Sequence, residues 1–236
     1  MAEVNVVYFK KAKEIKLRSP SLIVFFPPPV SVIVSGIYLT EKKNFDIIGY
    51  LSSDAYAPII PVHNNIAMPP VRIMANEELN LIVILSEIAI PFSSINKTAD
   101  AIIKIINDYK IRNVCTISGI EGENDDCIYY LTTNKRLKEK LKSLKLKEFS
   151  EGSLSGISGV LFMKIENYNI QSFMLLTNEK EDEIINVKGS EKMLRIIANF
   201  YNFTIDTKDL VKEELEVLKT EEEIIKQEQM NEKGMY

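Results

Sequence analysis

The stretch "LNLIVILSEIAIPFSSINKTADAIIKIINDYKIRNVCTISGI", residues 79–120, decides the fold class. It begins with an uninterrupted apolar run, which is typical of a strand buried on both faces of a parallel sheet. The following helical segment, residues 93–110, places its apolar positions on one face. These positions are Ala99, Ile102, Ile103, Ile106 and Tyr109. A second predicted strand, residues 111–120, ends in a glycine turn. The stretch therefore predicts a strand–helix–strand crossover, the unit of a parallel sheet.

The same alternation extends in both directions from this unit. Short apolar runs predict strands at residues 21–26, 45–51, 127–134 and 170–177, and amphipathic patterns predict helices at 134–144 and 190–203. Residues 31–41 are consistent with a helix although they are rich in β-branched side chains, and prolines favour an extended conformation at 57–63. The sequence thus predicts one α/β domain over residues 1–205, with three layers and helices on both faces of a mostly parallel sheet.

Composition limits the cellular setting. The chain has 236 residues, a net charge of -4 and two cysteines, Cys115 and Cys127, which are too few for a disulfide framework. The N-terminus has no apolar core typical of a signal peptide. No apolar run approaches the roughly 20 residues that a membrane span needs. We therefore expect a cytoplasmic protein without membrane association.

The C-terminal segment, residues 206–236, differs in character from the preceding domain. Residues 206–233 contain ten acidic and five basic side chains, and Val211, Leu218 and Ile225 recur every seven residues. A second column, Leu210, Val217 and Ile224, runs beside them. This pattern predicts an acidic amphipathic helix whose apolar stripe packs against another apolar surface. That surface belongs either to its own domain or to a neighbouring subunit.

The glycine-rich stretch "GSLSGISGV", residues 152–160, contains the pattern G-x-S-x-G around Ser155. This pattern is that of a nucleophile elbow, in which an acid and then a histidine follow the serine along the chain. The single histidine, His63, precedes Ser155, and the alternative base, Lys164, lies in a segment expected to be solvent-facing. We therefore interpret Ser155 as a turn residue. A hydrolase or phosphorylase-like site at residues 152–159 is kept as the alternative.

Three further site classes find little support in the sequence. The acidic stretch "EGENDD", residues 121–126, lacks the ligand order of an EF-hand, and no Cys/His cluster has zinc-ligand spacing. Residues 135–147 contain seven basic side chains and one acidic one, without the interleaved aromatics typical of RNA-binding surfaces. The glycine spacing at 152–159 matches no nucleotide-binding motif. We expect no metal, no cofactor and no nucleic-acid partner.

Ordered stretches along the chain resemble the archaeal branch of the proteasome-assembly-chaperone family. They include "FDIIGYLSSDAYAPIIPVHNN", "PPVRIMANEELNLIVILSEIAIP", "VCTISGIEGE", "YYLTTNKRLKEKLKSL", "EGSLSGISGVLF" and "FTIDTKDLVKEEL". The resemblance begins near Ser21 and extends to the tail, and it implies a helix at 159–168. Pro27, Pro28 and Pro29 replace the family's glycine-containing turn, so the chain looks like a divergent member.

The resemblance implies a fold similar to nucleoside phosphorylases and hydrolases, and a function without catalysis. Members are ATP-independent homo-oligomers that bind the α-subunit face of the proteasome core particle, many through a C-terminal hydrophobic–tyrosine–any-residue motif. Here Gly234, Met235 and Tyr236 end the chain, so the hydrophobic residue and the tyrosine are present and the last residue is missing. These three are the expected core-particle contacts, and Val211, Leu218 and Ile225 the expected oligomer or partner contacts. A scaffold subunit that only pairs with a relative is a third interpretation.

Overall fold

The structure is a computed structural model that describes residues 3–121, 127–166, 168, 170–179 and 187–210. The strands are β1 (Asn5–Tyr8), β2 (Ser21–Phe25), β3 (Asp46–Ser52), β4 (Val62–His63), β5 (Ile66–Ala67), β6 (Val71–Asn76), β7 (Leu81–Ser86), β8 (Asn113–Glu121), β9 (Ile128–Leu131), β10 (Lys147–Glu148) and β11 (Gln171–Glu179). The helices are α1 (Val30–Lys42), α2 (Ile95–Asp108), α3 (Lys135–Ser143), α4 (Gly156–Glu166) and α5 (Val187–Phe200). Short 3₁₀ helices lie at Lys10–Lys13 and Phe92–Ser94.

Nine of these strands form one sheet in the order β1-β3-β6-β7-β2-β8-β11-β9-β10. The four central strands β7, β2, β8 and β11 are parallel to one another. Antiparallel pairings flank them, through β6 and β3 to β1 on one side and through β9 on the other. The sheet is therefore mixed, with a parallel centre where the sequence predicts a mostly parallel sheet.

Helices cover both faces of the sheet, which confirms the predicted three-layer α/β fold. The alternation of side chains along β2 shows this arrangement. Ile23 and Phe25 pack in one core with residues of α1, α3 and α5, while Leu22 and Val24 pack in a second core with residues of α2 and α4. All four side chains are fully buried. Burial on both faces explains why this strand reads as an uninterrupted apolar run.

The sheet has two chemically different ends. At the carboxyl end, where the four central strands finish, lie the residues after Ser86 of β7 and Phe25 of β2. At the amino end lie the starts of these strands, together with the end of α1, because Asn76 donates a hydrogen bond to the carbonyl of Lys43 at 2.7 Å. The two ends are about 17 Å apart along β7, at about 3.3 Å per residue.

Most predicted elements lie where the sequence places them. The structure confirms strands that overlap 21–26, 45–51, 79–90, 111–120, 127–134 and 170–177, and helices that overlap 31–41, 93–110, 134–144 and 190–203. The helix expected at 159–168 is α4, which begins earlier, at Gly156. The strand β4 lies at the end of the segment 57–63 predicted to be extended, whereas β1, β5 and β6 lie outside the predicted strands. The boundary between the domain at 1–205 and the tail at 206–236 stays a prediction, since residues 211–236 lie outside the described residues.

Candidate functional site

A cavity of about 430 Å³ lies at the carboxyl end of the sheet, beside the glycine-rich turn. Its walls come from three places: the loop after β2, the end of β8, and the turn that leads into α4. The lining residues are Pro27, Pro28, Ser118, Gly119, Ile120, Phe149 and residues 151–158. Ligands of open α/β sheets bind in this position, outside the carboxyl ends of the strands. The cavity is therefore the place to test the enzyme alternative.

Glycine determines the course of the turn around Ser155. Gly152 has a φ of 144° and Gly156 a φ of 72°, both in the region that favours glycine. A Cβ at position 152 would meet the Phe149 ring, which would have to shift, so space adds to the conformational preference for glycine at this position. Ser155 itself is exposed directly before α4. Its position is that of a turn residue at the start of a helix, as the sequence predicts.

The two bases that the sequence offers to Ser155 have other partners. Lys164 Nζ donates to Asp100 Oδ1 of α2 at 2.5 Å, and His63 pairs with Glu87 outside the cavity. Among the described lining residues of the cavity, Glu151 is the one charged side chain. A serine hydroxyl needs an adjacent base to act as a nucleophile near neutral pH. The described residues supply none to Ser155.

The second feature of the carboxyl end is the Pro-flanked hairpin, residues 57–70, between β3 and β6. Its two short strands, β4 and β5, pair around a turn in which Asn64 and Asn65 have φ values of 51° and 64°. Consecutive asparagines at positive φ are typical of a type I′ turn, the commonest two-residue hairpin connection. An isolated two-stranded hairpin is at best marginally stable in water, so this one depends on its attachment to the sheet.

A buried ionic cluster attaches the Pro-flanked hairpin to the sheet. His63 Nε2 lies 2.8 Å from Glu87 Oε2 and 3.0 Å from Oε1, while Arg72 Nη1 pairs with Glu87 Oε1. Because an ionised carboxylate only accepts hydrogen bonds, His63 Nε2 is the donor. The Glu87 amide also donates to the carbonyl of Pro70 at 2.9 Å. The cluster joins the hairpin, β6 and the residue after β7.

The Glu87 carboxyl is ionised in this cluster. Burial alone raises the pKa of the Glu87 carboxyl, but the hydrogen bond from His63 and the nearby Arg72 charge outweigh burial, so the net effect lowers this pKa below its ordinary value. The Glu87 and Arg72 side chains are almost fully buried. Removing Glu87 would leave the Arg72 guanidinium buried without its carboxylate, so Glu87 fixes the geometry of the hairpin base.

The Pro-flanked hairpin also presents apolar side chains to solvent. Ile60, Val62 and Ile66 are exposed, and Phe92, in the loop after β7, is exposed at the same end of the sheet. Tyr56, directly before the hairpin, shares a hydrogen bond of 2.9 Å with Thr98 of α2. Sequence reasoning missed this surface and the cluster beneath it. One sequence feature could have indicated this surface: residues 55–70 contain no Asp, Glu, Lys or Arg, although 26% of the chain is charged.

The described start of the tail, residues 206–210, lies at the amino end of the sheet. Leu210 is buried in the core under α1, and Lys42 at the end of α1 pairs with Asp209 at 2.7 Å. Tyr38 of the same helix donates to the carbonyl of Asp206 at 2.7 Å. The predicted contact residues Val211, Leu218, Ile225, Gly234, Met235 and Tyr236 lie outside the described residues. The start of the tail is thus opposite the cavity and the Pro-flanked hairpin.

The remaining predictions concern the acidic stretch, metal binding, membrane spans and the cysteines, and the described residues bear on them only in part. Residues 122–126 of the acidic stretch lie outside the described residues. Among the side chains that are described, no group of three or more His, Cys, Asp or Glu is placed to hold a metal ion. None of the described helices is both long and apolar enough to cross a membrane. Burial raises the pKa of the Cys115 thiol well above its usual value, so this cysteine is not a reactive thiolate.

The model of the PAC2 family matches residues 34–226, which is most of the chain. This chain belongs to the PAC2 family. An uncharacterised protein of Methanocaldococcus jannaschii is 24% identical over 214 residues, covering 89% of this PAC2 protein and 86% of that relative. The low identity agrees with a divergent member of the family whose archaeal branch the sequence resembles.

Solved structures show the same fold. PbaA of Pyrococcus furiosus, described as an archaeal homolog of proteasome-assembly chaperone, superposes on this PAC2 protein with a TM-score of 0.79 at 19% identity, covering 99% of this chain and 96% of that chain. PbaB of the same organism, described as an archaeal proteasome activator, gives a TM-score of 0.74 at 16% identity, covering 97% and 100%. The resemblance on which the sequence-based interpretation rests is confirmed.

Proposed function

We propose that this PAC2 protein is a non-catalytic, ATP-independent chaperone-like or capping factor of the proteasome core particle, cytoplasmic and homo-oligomeric. The observation that carries the proposal is the likeness over nearly the whole chain to PbaA, together with the family match over residues 34–226. The chemistry at Ser155 supports a binding role, because Lys164 and His63 both have other partners. The α subunits of the core particle are the partner.

The tail is the proposed contact with the core particle. Its described residues, 206–210, lie at the amino end of the sheet, and a helix of the length of residues 211–236 would span about 40 Å. Met235 and Tyr236 would then dock as the hydrophobic residue and the tyrosine of the tail. Several tails in one oligomer would raise the overall affinity by roughly 10²–10⁴ over one tail. Val211, Leu218 and Ile225 would pack against the neighbouring subunit.

Surface plasmon resonance with immobilised α subunits from the same organism tests the proposal. The full chain should bind without nucleotide, and removal of residues 234–236 or the substitution Tyr236→Ala should weaken binding by at least about tenfold. Tyr168→Ala, which removes an exposed tyrosine outside the tail, is the matched control and should bind as the unmodified chain does. Absence of binding by the full chain would reject the proposal. Equal binding with and without the tail would move the contact to the folded domain.

The enzyme alternative keeps one supporting observation, the cavity of about 430 Å³ beside Ser155. A serine hydrolase would lose its turnover in Ser155→Ala, whereas a binding protein would keep its affinity for the core particle. A scaffold subunit that only pairs with a relative would bind that relative and would not bind α subunits. Binding to α subunits therefore distinguishes the proposed function from both alternatives, and the turnover of Ser155→Ala distinguishes the two alternatives from each other.

A further inference from the structure

The cavity beside the glycine-rich turn has a buried serine without a partner on its wall. Ser158, in the first turn of α4, lines the cavity and is 3% exposed. Among the described residues, no donor or acceptor forms a hydrogen bond with the Ser158 hydroxyl. Most buried hydroxyls have a partner, because burying one without a hydrogen bond costs free energy. The Ser158 hydroxyl therefore lacks the partner that its burial calls for.

The Ser158 side chain is directed toward the carboxyl end of the sheet. Phe162, one helical turn later on the same face of α4, packs against Met174 and Leu176 of β11. Ser158 therefore faces the same side of the sheet, where the cavity lies. Ser118 of β8 pairs with Leu176, so the Ser118 side chain is on this side too. Ser118 and Ser158 thus border the space between β8 and α4.

The start of α4 adds further hydrogen-bond donors to the same wall. The first amides of an α-helix have no partner within the helix. Within the described part of the chain, no carbonyl or side chain accepts from the amides of Gly156, Ile157 or Ser158. All three residues line the cavity, and α4 has 11 residues, so the positive end of its dipole lies there. The wall thus presents amide and hydroxyl donors to one space.

The other lining residues select the class of ligand. Amides only donate, so the matching group accepts several hydrogen bonds, as a carboxylate or a phosphate does. The described lining contains no lysine, arginine or histidine, and the exposed Glu151 is negative. This charge balance favours a singly charged carboxylate over a doubly charged phosphate. Phe149, Ile120 and Leu154 provide apolar surface for the rest of the ligand.

We propose that this cavity binds a small molecule that carries one carboxylate and an apolar body. The carboxylate accepts from the amides at the start of α4 and from the Ser158 hydroxyl, while the apolar body lies against Phe149. The cavity volume of about 430 Å³ is within the range of small-molecule sites. Binding there needs no base beside Ser155 and no covalent step. The inference goes beyond the proposed function and does not depend on binding to the core particle.

An NMR titration of the full chain with benzoate tests the inference. Benzoate should bind saturably, with a dissociation constant below about 10 mM. Benzamide, which has a similar shape without the charge, should bind at least about tenfold more weakly. Inorganic phosphate should also bind more weakly than benzoate. Tighter binding of phosphate, equal binding of benzamide, or no saturable binding of benzoate would overturn the inference.

The variant Ser158→Ala assigns the binding to this cavity. Loss of the hydroxyl should raise the dissociation constant for benzoate by at least about tenfold, as expected for one hydrogen bond to a charged group. Because no described group pairs with this hydroxyl, the thermal unfolding temperature should stay the same or rise. Ser143→Ala is the matched control, because Ser143 is on α3 and donates to the carbonyl of Lys140 at 2.6 Å. Unchanged benzoate binding in Ser158→Ala, or equal weakening in both variants, would overturn the inference.

The variant Glu151→Gln should change the affinity in the opposite direction. It removes the negative charge from the described lining, so benzoate binding should become stronger by about twofold to fivefold. The effect is modest because Glu151 is exposed and solvent screens its charge. Stronger binding in Glu151→Gln together with weaker binding in Ser158→Ala supports an anionic ligand in this cavity. Weaker binding of benzoate in Glu151→Gln would overturn the inference.

Discussion

Two loop regions at the carboxyl end of the sheet differ in what their sequences suggest and what their structures contain. The glycine-rich turn at 152–159 carries the pattern of a catalytic serine, yet neither Lys164 nor His63 is a partner of Ser155. The Pro-flanked hairpin at 57–70 carries no motif, yet it is tied to the sheet through the buried carboxylate of Glu87 and exposes apolar side chains. In this protein the G-x-S-x-G pattern indicates a catalytic site that the described residues do not complete, whereas the buried charges around Glu87 hold in place a surface that no motif indicates.

The largest expected effect comes from the cluster under the hairpin. Glu87→Ala leaves the Arg72 guanidinium buried without its carboxylate, which should lower the free energy of unfolding by about 3–5 kcal/mol. Glu148→Ala is the control, because it breaks the half-exposed pair of Glu148 with Lys138 and should cost less than about 1 kcal/mol. Denaturant unfolding measures both. Similar losses in the two variants would contradict the structural role given to Glu87.

A smaller effect is expected in the glycine-rich turn. Gly152→Ala forces an alanine into a φ of 144° and places its Cβ against the Phe149 ring, which should lower the free energy of unfolding by about 2–3 kcal/mol. Gly156→Ala meets no atom within 4 Å at a φ of 72°, so about 1 kcal/mol is expected there. Thermal or denaturant unfolding checks the order. A larger loss at position 156 would show that space does not determine the turn.

Acid should weaken the attachment of the hairpin. The pKa of the Glu87 carboxyl is lowered from its ordinary value of 4.5, so its contribution to stability is complete well above that value and is lost as the pH falls through the lower folded-state pKa. Between pH 6 and pH 4 the loss should be below about 1 kcal/mol. Glu87→Gln removes this titration. The stability difference between the two proteins should therefore change toward acid pH, and a constant difference from pH 7 to pH 4 would argue against an ionised Glu87.

The sequence predicts the central strands because their physical environment is uniform. Residues of β2 and β7 are buried on both faces, so each strand appears as an apolar run that needs no knowledge of its neighbours. The sequence does not predict strand β6, because Arg72 interrupts its apolar pattern. Arg72 is buried in this strand in a pair with Glu87. The two-residue strands β4 and β5 are too short for any periodicity.

The candidate surface could not be predicted from local patterns. His63 and Glu87 are 24 positions apart and meet only because β6 turns back antiparallel to β7. No spacing rule connects them. The glycine-rich turn is a strand-to-helix corner, as predicted, because glycine permits the positive φ values found at Gly152 and Gly156. The sequence therefore predicts local conformation here better than it predicts which side chains meet.

The smallest expected effect provides the most direct test of the central claim, that this PAC2 protein acts by binding rather than through Ser155. Native mass spectrometry would compare the unmodified full chain and Ser155→Ala, each mixed with proteasome α subunits from the same organism and no nucleotide. We predict the same complex, in the same proportion, for both proteins. Absence of a complex with the unmodified chain, or its loss in Ser155→Ala, would contradict the account.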